Sequence, residues 1–539
     1  MARKRTPRRR PGRKPRLDRL DLGLVAGALL VRLPGLPWGL PDPTHFFSWH
    51  PDEFEIAGRA IRILNTGDLH PEFFNYGSVM LYLTALLAWP AKALGLVGTV
   101  TGTHVVGRLV AIACGALAVP VVRRIARRAG LDRAGALLAA GFVALAPGLV
   151  LHSAWATVDV PATFFAALAL LFALRALDGA ALRPFVLAGA MAGLAAGTKY
   201  NVGLVLVAPL VAAGLAPAAG RRLRLVVASG GAALGAFLLS TPYALIDFAA
   251  FRRDLGYELF VHSREGHLDI FEGTGPGWTY HLLSNLPYAL GVPLLLLALA
   301  GTGRMLARRR PADVVLLSFG LGYFALIGFS EVRFLRYVLP IVPVLAVAAA
   351  EAVATLRARS APAAGVAAGV ALTWCALLTA QQAAALLAPD PRRAAADWMM
   401  EHVPSGAIVA LTHEPWFFTP PITPWNGGAR SRSRFDADPA APGGWRLGVI
   451  EDRDRGRLLS IAPEWVVRSE FEWREGERLR DPAAAAFRDA LRHGWEPVAR
   501  FEGLPRSRRW TFGGFAPHDW LYPFAEIRVW HRAEAEAAR

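Results

Sequence analysis

Cysteine is almost missing: the 539 residues contain two, Cys114 and Cys375, both inside apolar runs. That excludes a disulfide framework and a thiolate metal site. Charge is also scarce, since Asp, Glu, Lys and Arg make up 19% of the chain against 54% hydrophobic residues. With its positive mean hydropathy, this balance excludes an ordinary soluble enzyme and describes a polypeptide that lives in a bilayer. Neither a phosphate loop nor a G-x-G-x-x-G between strand and helix is present, which argues against a nucleotide-fuelled reaction on the inner face. Lysine occurs only four times in a chain rich in arginine, so a retained lysine such as Lys199 stands out. No internal repeat or low-complexity segment is evident.

The formal net charge of +17 would suggest nucleic acid in a soluble protein. Here the arginines cluster between apolar segments, where they carry topology information and affinity for anionic lipid, and no nucleic-acid partner is expected. Residues 1–19 read as a disordered basic cytoplasmic tail. The run from Leu20 to Leu40 lacks a small-x-small cleavage site and reads as an uncleaved transmembrane helix, with Arg32 snorkelling near its outer end. Arginine clusters at Arg123 to Arg133, Arg175 and Arg183, Arg221 to Arg224, Arg304 to Arg310, and Arg357 with Arg359 should be cytoplasmic. Apolar segments near 104–122, 133–151, 160–176, 185–198, 202–219, 225–242, 286–303, 313–329, 338–355 and 365–387 alternate between them. Together with the first helix they predict an α-helical polytopic membrane protein of about eleven spans, N-terminus inside. Gly77 to Gly95 would break this parity if it spanned, and is expected as a juxtamembrane helix on the outer interface.

Residues 20–388 are read as the membrane domain. After Pro389-Asp390-Pro391 the composition becomes that of a soluble module, so 389–539 is expected as a C-terminal extracytoplasmic α/β domain. Its expected elements include a helix from Ala394 to His402 and strands at Ala407 to Thr412 and Trp465 to Val467. Trp398, Trp416 and Trp425 read first as core or interface residues, with stacking on sugar rings as the alternative. Thr419 to Gly444 reads as a lid or a disordered loop.

This topology puts four polar groups of residues on the outer side: His50 to Glu53, His152 to Asp159, the loop from Thr241 to Asn285, and Glu331 to Tyr337. Asp52 and Glu53 open a helical pattern beside the membrane, where a pair of carboxylates either serves chemistry or caps the helix. Both readings stand on these residues alone.

His50-Pro51-Asp52-Glu53, followed by Arg59-Ala60, Asn65-Thr66-Gly67-Asp68-Leu69 and Pro71, resembles a family's first outer loop. The family is the polyprenyl-phosphate-sugar-dependent glycosyltransferases of the protein O-mannosyltransferase and aminoarabinose transferase group, with the GT-C fold. Thr157-Val158-Asp159-Val160-Pro161, Gly197-Thr198-Lys199-Tyr200-Asn201, Arg264-Glu265-Gly266-His267 and Arg336-Tyr337-Val338-Leu339-Pro340-Ile341-Val342-Pro343 extend the resemblance over roughly the first 390 residues. It implies transfer of a sugar from a polyprenyl-phosphate carrier to an acceptor on the extracytoplasmic face, with inversion. The acceptor, whether protein, lipid or glycan, is left open.

The residues suit such chemistry. A hydroxyl is a poor nucleophile and needs a carboxylate to take its proton, while a lipid phosphate leaves as an anion and needs cations rather than an acid. Asp52 is the expected general base, with Glu53 holding acceptor or helix geometry. Asp159 is expected to position the acceptor or, with Asp52, to bind a divalent cation in a site that His152 would join; a helix cap and a helix-end histidine are the alternatives. Lys199, Arg264, His267, Arg333 and Arg336 are candidate phosphate partners, guanidinium being suited to bidentate contact, and Tyr337 would add a hydroxyl. No cofactor is assigned beyond that open question of a cation. A secondary transporter would instead place its ionisable residues near the midplane, often in repeated halves. A lipid-linked-sugar binding protein or scramblase would share the arginines without needing Asp52.

Overall fold

A computed structural model describes residues 19–533 apart from 46, 96–98, 180, 218–219, 268, 423–434, 436–441 and 505–515. The expected basic tail, except for Arg19, lies outside the described residues, as do Trp425 and most of the loop from Thr419 to Gly444. Among the described residues, each apolar segment read from the sequence is largely helical, though some are broken into two helices. Among these residues five helices are long and apolar enough to cross a membrane, or up to seven if two bent pairs each count as one span. The bent pairs are Arg133–Leu145 with Pro147–Ser153, and Gly277–Leu290 with Val292–Arg308. Leu182–Thr198, Tyr200–Leu215 and Pro311–Ile327 are shorter apolar helices, as is Val79–Ala93 in the segment expected at the outer interface.

Small residues let these helices approach closely. A Cβ on Gly189 or Gly193 would lie 2.1 Å from the carbonyl oxygen of Ser229 or Ala233 on helix Arg222–Ser240. That is the small-xxx-small device of membrane helices.

The first span departs from its expected form. Its helix, Arg19–Arg32, has 14 residues and gives way to a 3-10 turn at Leu33–Gly35, because Pro34 disfavours helical backbone before it. Arg32 does not snorkel to water. It is 1% exposed, and its guanidinium donates to Ser153 Oγ and to the carbonyls of Ala28, Ala144 and Val143. Several carbonyls and a hydroxyl thus do the work that interfacial water was expected to do.

The C-terminal part forms a five-stranded sheet of β1 (Ile408–Leu411), β2 (Arg446–Val449), β3 (Trp465–Ser469), β4 (Trp495–Glu502) and β5 (Glu526–Arg532). The order is β2-β1-β3-β5-β4. β1 pairs in parallel with β2 and β3, and β5 antiparallel with β3 and β4. Helix Pro391–His402 lays Ala395, Ala396 and Met399 on one face of the sheet, in a core with Val409, Trp445 and Val529. Trp398 stacks on His402 at 4.3 Å and packs against Trp465, so it serves this core. Trp416 packs edge-on against Phe47 of the first loop at 4.7 Å.

Glu472, in helix Glu470–Leu479, accepts hydrogen bonds from the Ser469 backbone N–H and the Thr412 hydroxyl. Burial outweighs these bonds and pushes its carboxyl from 4.5 up to about 7. A carboxyl raised in the fold binds its proton more tightly there than in the unfolded chain, so stability falls as pH rises from about 4.5 to about 7 and is level above. Glu472→Gln keeps an acceptor for both donors. It is expected to remove this loss, on the order of 3 kcal/mol at most, so that thermal unfolding at pH 8 comes at higher temperature than in the wild type and at pH 5 nearly unchanged.

The sheet domain is not packed as a separate body. Trp520, Leu521, Tyr522 and Phe524 belong to the same hydrophobic core as the membrane helices. Trp520 packs on Tyr288 at 5.1 Å. Arg478 donates to the carbonyls of Glu272 at 2.6 Å and Asp269 at 2.7 Å in the long loop.

Candidate active site

The neighbouring acids Asp52 and Glu53 are turned apart by the backbone. Asp52 takes the N-cap position of helix Glu53–Thr66, but with φ −85° and ψ −14° it makes no side-chain capping bond. Capping residues usually adopt extended backbone, which points the side chain at the free N–H groups. Helical angles aim Asp52 elsewhere, and its Oδ2 lies 3.0 Å from Arg336 Nη2. His50 supports this geometry: its Nδ1 accepts the Asp52 backbone N–H at 3.2 Å, while Nε2 has no hydrogen-bond partner among the described residues. Burial lowers His50 to about 4, against the pull of Asp52 and Glu53, so the ring is neutral near pH 7.

Glu53 points inward and is fully buried. Arg108 Nε and Nη2 donate to its two carboxylate oxygens at 2.8 and 2.7 Å, and the Ala156 N–H donates to Oε1 at 2.7 Å. Arg108 Nη1 also donates to the carbonyls of Leu36 and Trp38. Burial would raise the Glu53 carboxyl, but Arg108 overcomes it and holds the group near 2. The pair joins the first loop, helix Val100–Arg128 and the turn before Asp159.

Arg336 is the centre of the cluster. It is the second residue of the 3-10 turn Leu335–Ile341, and its guanidinium carbon sits 3.9 Å from the Phe334 ring centroid. Its Nη1 is buried, 3.8 Å from Asp519 Oδ2. The next residue, Tyr337, lies beneath Lys199 Nζ at 4.5 Å, and Lys199 reaches Asp159 Oδ1 at 2.6 Å. Asp159 is the first residue of helix Asp159–Ala176 and is paired with this lysine across the turn after helix Leu182–Thr198. Tyr200 ties that turn to the first loop by donating to the Phe74 and Tyr76 carbonyls at 2.8 and 2.9 Å. Gly77 permits the approach, since a Cβ there would meet the Gly197 carbonyl oxygen at 2.0 Å. Asp52, Asp159, Lys199, Arg336 and Tyr337 are thus brought together from four distant parts of the chain.

Of the other expected site residues, His152 and His267 border this cluster, whereas Arg333 and Arg264 stand apart. His152 is fully buried on helix Pro147–Ser153 with Nε2 3.6 Å from Asp519 Oδ2, beyond hydrogen-bond reach. His267 packs edge-on against Phe334 at 5.5 Å, behind the guanidinium of Arg336, and burial lowers it to about 4. Arg333 turns away, donating to Thr274 Oγ1 at 2.6 Å and pairing with Glu331. Arg264 is exposed and lies over Phe260 at 5.6 Å. The side chains do not fit the cation set of Asp52, Asp159 and His152: each acid already holds a basic group, and among the described residues no three His, Cys, Asp or Glu gather to hold a metal.

Sequence reading had missed Arg108, Asp519 and Tyr522. Asp519 is fully buried and accepts the backbone N–H groups of Leu335 and Arg336 at 2.9 and 3.0 Å. Tyr522 meets the His50 ring at 5.0 Å. One signal was available: a lone acid ahead of Trp520-Leu521-Tyr522-Pro523-Phe524, an apolar run within an otherwise polar domain.

No curated protein matches the chain by sequence. Residues 85–245 match the family described as dolichyl-phosphate-mannose-protein mannosyltransferase. Among solved structures, ArnT from Cupriavidus metallidurans in the apo state is similar with a TM-score of 0.53 and 16% identity, over 94% of this chain and 97% of that one. The Archaeoglobus fulgidus oligosaccharyltransferase AglB, in complex with an inhibitory peptide and a dolichol-phosphate, gives 0.53 and 15%, over 93% and 74%. The chain therefore has the GT-C glycosyltransferase fold that its outer-loop motifs resemble, and across 85–245 it carries the sequence pattern of the dolichyl-phosphate-mannose-protein mannosyltransferase family.

Proposed function

We propose that this protein transfers a sugar from a polyprenyl-phosphate carrier to an acceptor hydroxyl on the extracytoplasmic face of the membrane, with its N-terminus in the cytoplasm. One observation carries the reading: the carboxylate of Asp52, placed where a helix cap belongs, is held by a guanidinium instead, beside a second acid–base pair. The dolichol-phosphate bound by AglB supports a ligand of the same chemistry here.

In this mechanism Asp52 takes the acceptor hydroxyl proton as the acceptor oxygen bonds to the anomeric carbon from the face opposite the phosphate. The bond from the anomeric carbon to the phosphate oxygen breaks, and the electron pair leaves with the lipid phosphate. The Arg336 guanidinium and the Lys199 ammonium receive the charge that develops there. Asp159 keeps Lys199 in place, and Tyr337 supports it through its ring. Glu53 holds the helix that presents Asp52.

The test uses membranes containing the protein and radiolabelled polyprenyl-phosphate-linked hexoses and pentoses. Label is expected to move to a non-carrier acceptor, leaving free polyprenyl phosphate. If folded protein releases no polyprenyl phosphate from any donor yet moves the intact lipid across the bilayer, the reading is wrong and that of a carrier translocator takes its place.

A further inference from the structure

The geometry points to Asp519 as a positioning residue of the transfer site: the C-terminal domain sends one buried carboxylate into the membrane domain to fix the backbone and the guanidinium of Arg336. The inference rests on the transferase reading above and adds a part of the chain that the family resemblance does not cover.

Three observations carry it. Asp519 Oδ1 accepts the Leu335 N–H at 2.9 Å and Oδ2 accepts the Arg336 N–H at 3.0 Å, so both oxygens grip the first residues of the turn Leu335–Ile341. These two N–H groups open a helical turn and have no acceptor within it. Next, Asp519 Oδ2 also lies 3.8 Å from Arg336 Nη1. Arg336 thus lies between two acids, Asp52 on Nη2 and Asp519 toward Nη1, and its guanidinium plane is set by both and by the Phe334 ring beneath it.

The third observation is that the segment bearing Asp519 is itself clamped. Trp520 packs on Tyr288, and Arg392 donates to the Tyr522 carbonyl at 3.0 Å while lying over Trp49 at 4.5 Å. Such a carboxylate cannot follow a moving side chain; it sets where Arg336 is. Burial raises the Asp519 carboxyl above its ordinary value, and Arg336 with the two N–H donors limits the rise. Tyr522, Tyr76, Asp159, His50, His152 and His267 are among the other titratable groups near Arg336, and His152 also faces Asp519.

Asp519→Asn is nearly isosteric but loses the negative charge and one strong acceptor. With one grip on the turn weakened, Arg336 is less well placed, so kcat for transfer is expected to fall about tenfold or more while KM for the donor stays within threefold. A role confined to stability would lower the amount of folded protein and leave kcat per folded molecule in place. Hydrogen exchange at the Leu335 and Arg336 amides is expected to quicken at least tenfold in the same variant, a readout that needs no activity. Arg453→Ala, which removes a different contact of the C-terminal domain, with Asp269, is expected to keep the wild-type kcat. If Asp519→Asn does not accumulate, Asp519→Ser must show the same two changes. A folded variant with wild-type kcat and unchanged amide exchange overturns the proposal. A wild type that transfers no sugar overturns the transferase reading instead, and amide exchange then decides the positioning alone.

Discussion

Asp52→Asn is expected to lower sugar transfer by about 10²–10⁴-fold, the range a positioned general base contributes, while the protein inserts and melts as the wild type does. The two halves of this expectation have separate causes. An asparagine cannot take a proton from the acceptor hydroxyl, so the nucleophile must form without help. Stability should be spared because Asp52 is partly exposed, makes no side-chain helix cap, and pairs with Arg336 through a contact of 3.0 Å. The carbonyl of an asparagine still accepts a hydrogen bond from that guanidinium. Transfer by Asp52→Asn within threefold of wild type, measured as release of free polyprenyl phosphate from a labelled donor, would remove Asp52 from the mechanism. A fall in transfer matched by an equal fall in folded protein would make it a structural residue instead.

Polarity made much of the site legible in the sequence. Asp159, Lys199 and Arg336 each stand at the end of an apolar segment, where a charge is costly and therefore conspicuous, Asp52 follows the first such segment, and the alternation of arginine clusters predicts one side of the membrane for all their loops. Each apolar segment also reappears, among the described residues, as largely helical, because hydrophobic length is a local property. Pairing is not local. Nothing in the spacing of Glu53 and Arg108, 55 residues apart, says that one is the other's partner, and so Glu53 read as a companion of Asp52 in the site. Arg32 was misread for the same reason: an arginine near a helix end snorkels unless carbonyls from another helix reach it first, and those carbonyls belong to residues more than 100 positions away. Asp519 lay hidden behind the reading of 389–539 as a soluble domain, since such a composition does not reveal which of its turns packs elsewhere.

Glu53→Gln should show the opposite pattern to Asp52→Asn, a large loss of folded protein with little loss of activity in what remains. Arg108 and Glu53 are both fully buried, and removing one charge leaves the other in a medium that cannot solvate it, at a cost of about 3–5 kcal/mol. Against a total stability of about 5–15 kcal/mol for a domain, that is enough to reduce accumulation in the membrane sharply and to lower the melting temperature of the purified protein. Replacing both members with apolar residues would often repair such a pair. Here Glu53→Leu with Arg108→Met should repair it only in part, because the Leu36 and Trp38 carbonyls would lose their donor and the Ala156 N–H its acceptor. Acid should act as the substitution does. The carboxyl is held near 2 in the fold, so its stabilisation is complete above the ordinary carboxylate value, is lost progressively as pH falls from there to about 2, and changes no further below that. Activity per folded molecule is the deciding measurement: if Glu53→Gln melts like wild type but transfers no sugar, the two neighbouring acids share the chemistry, and the division of labour drawn from their opposite orientations is wrong.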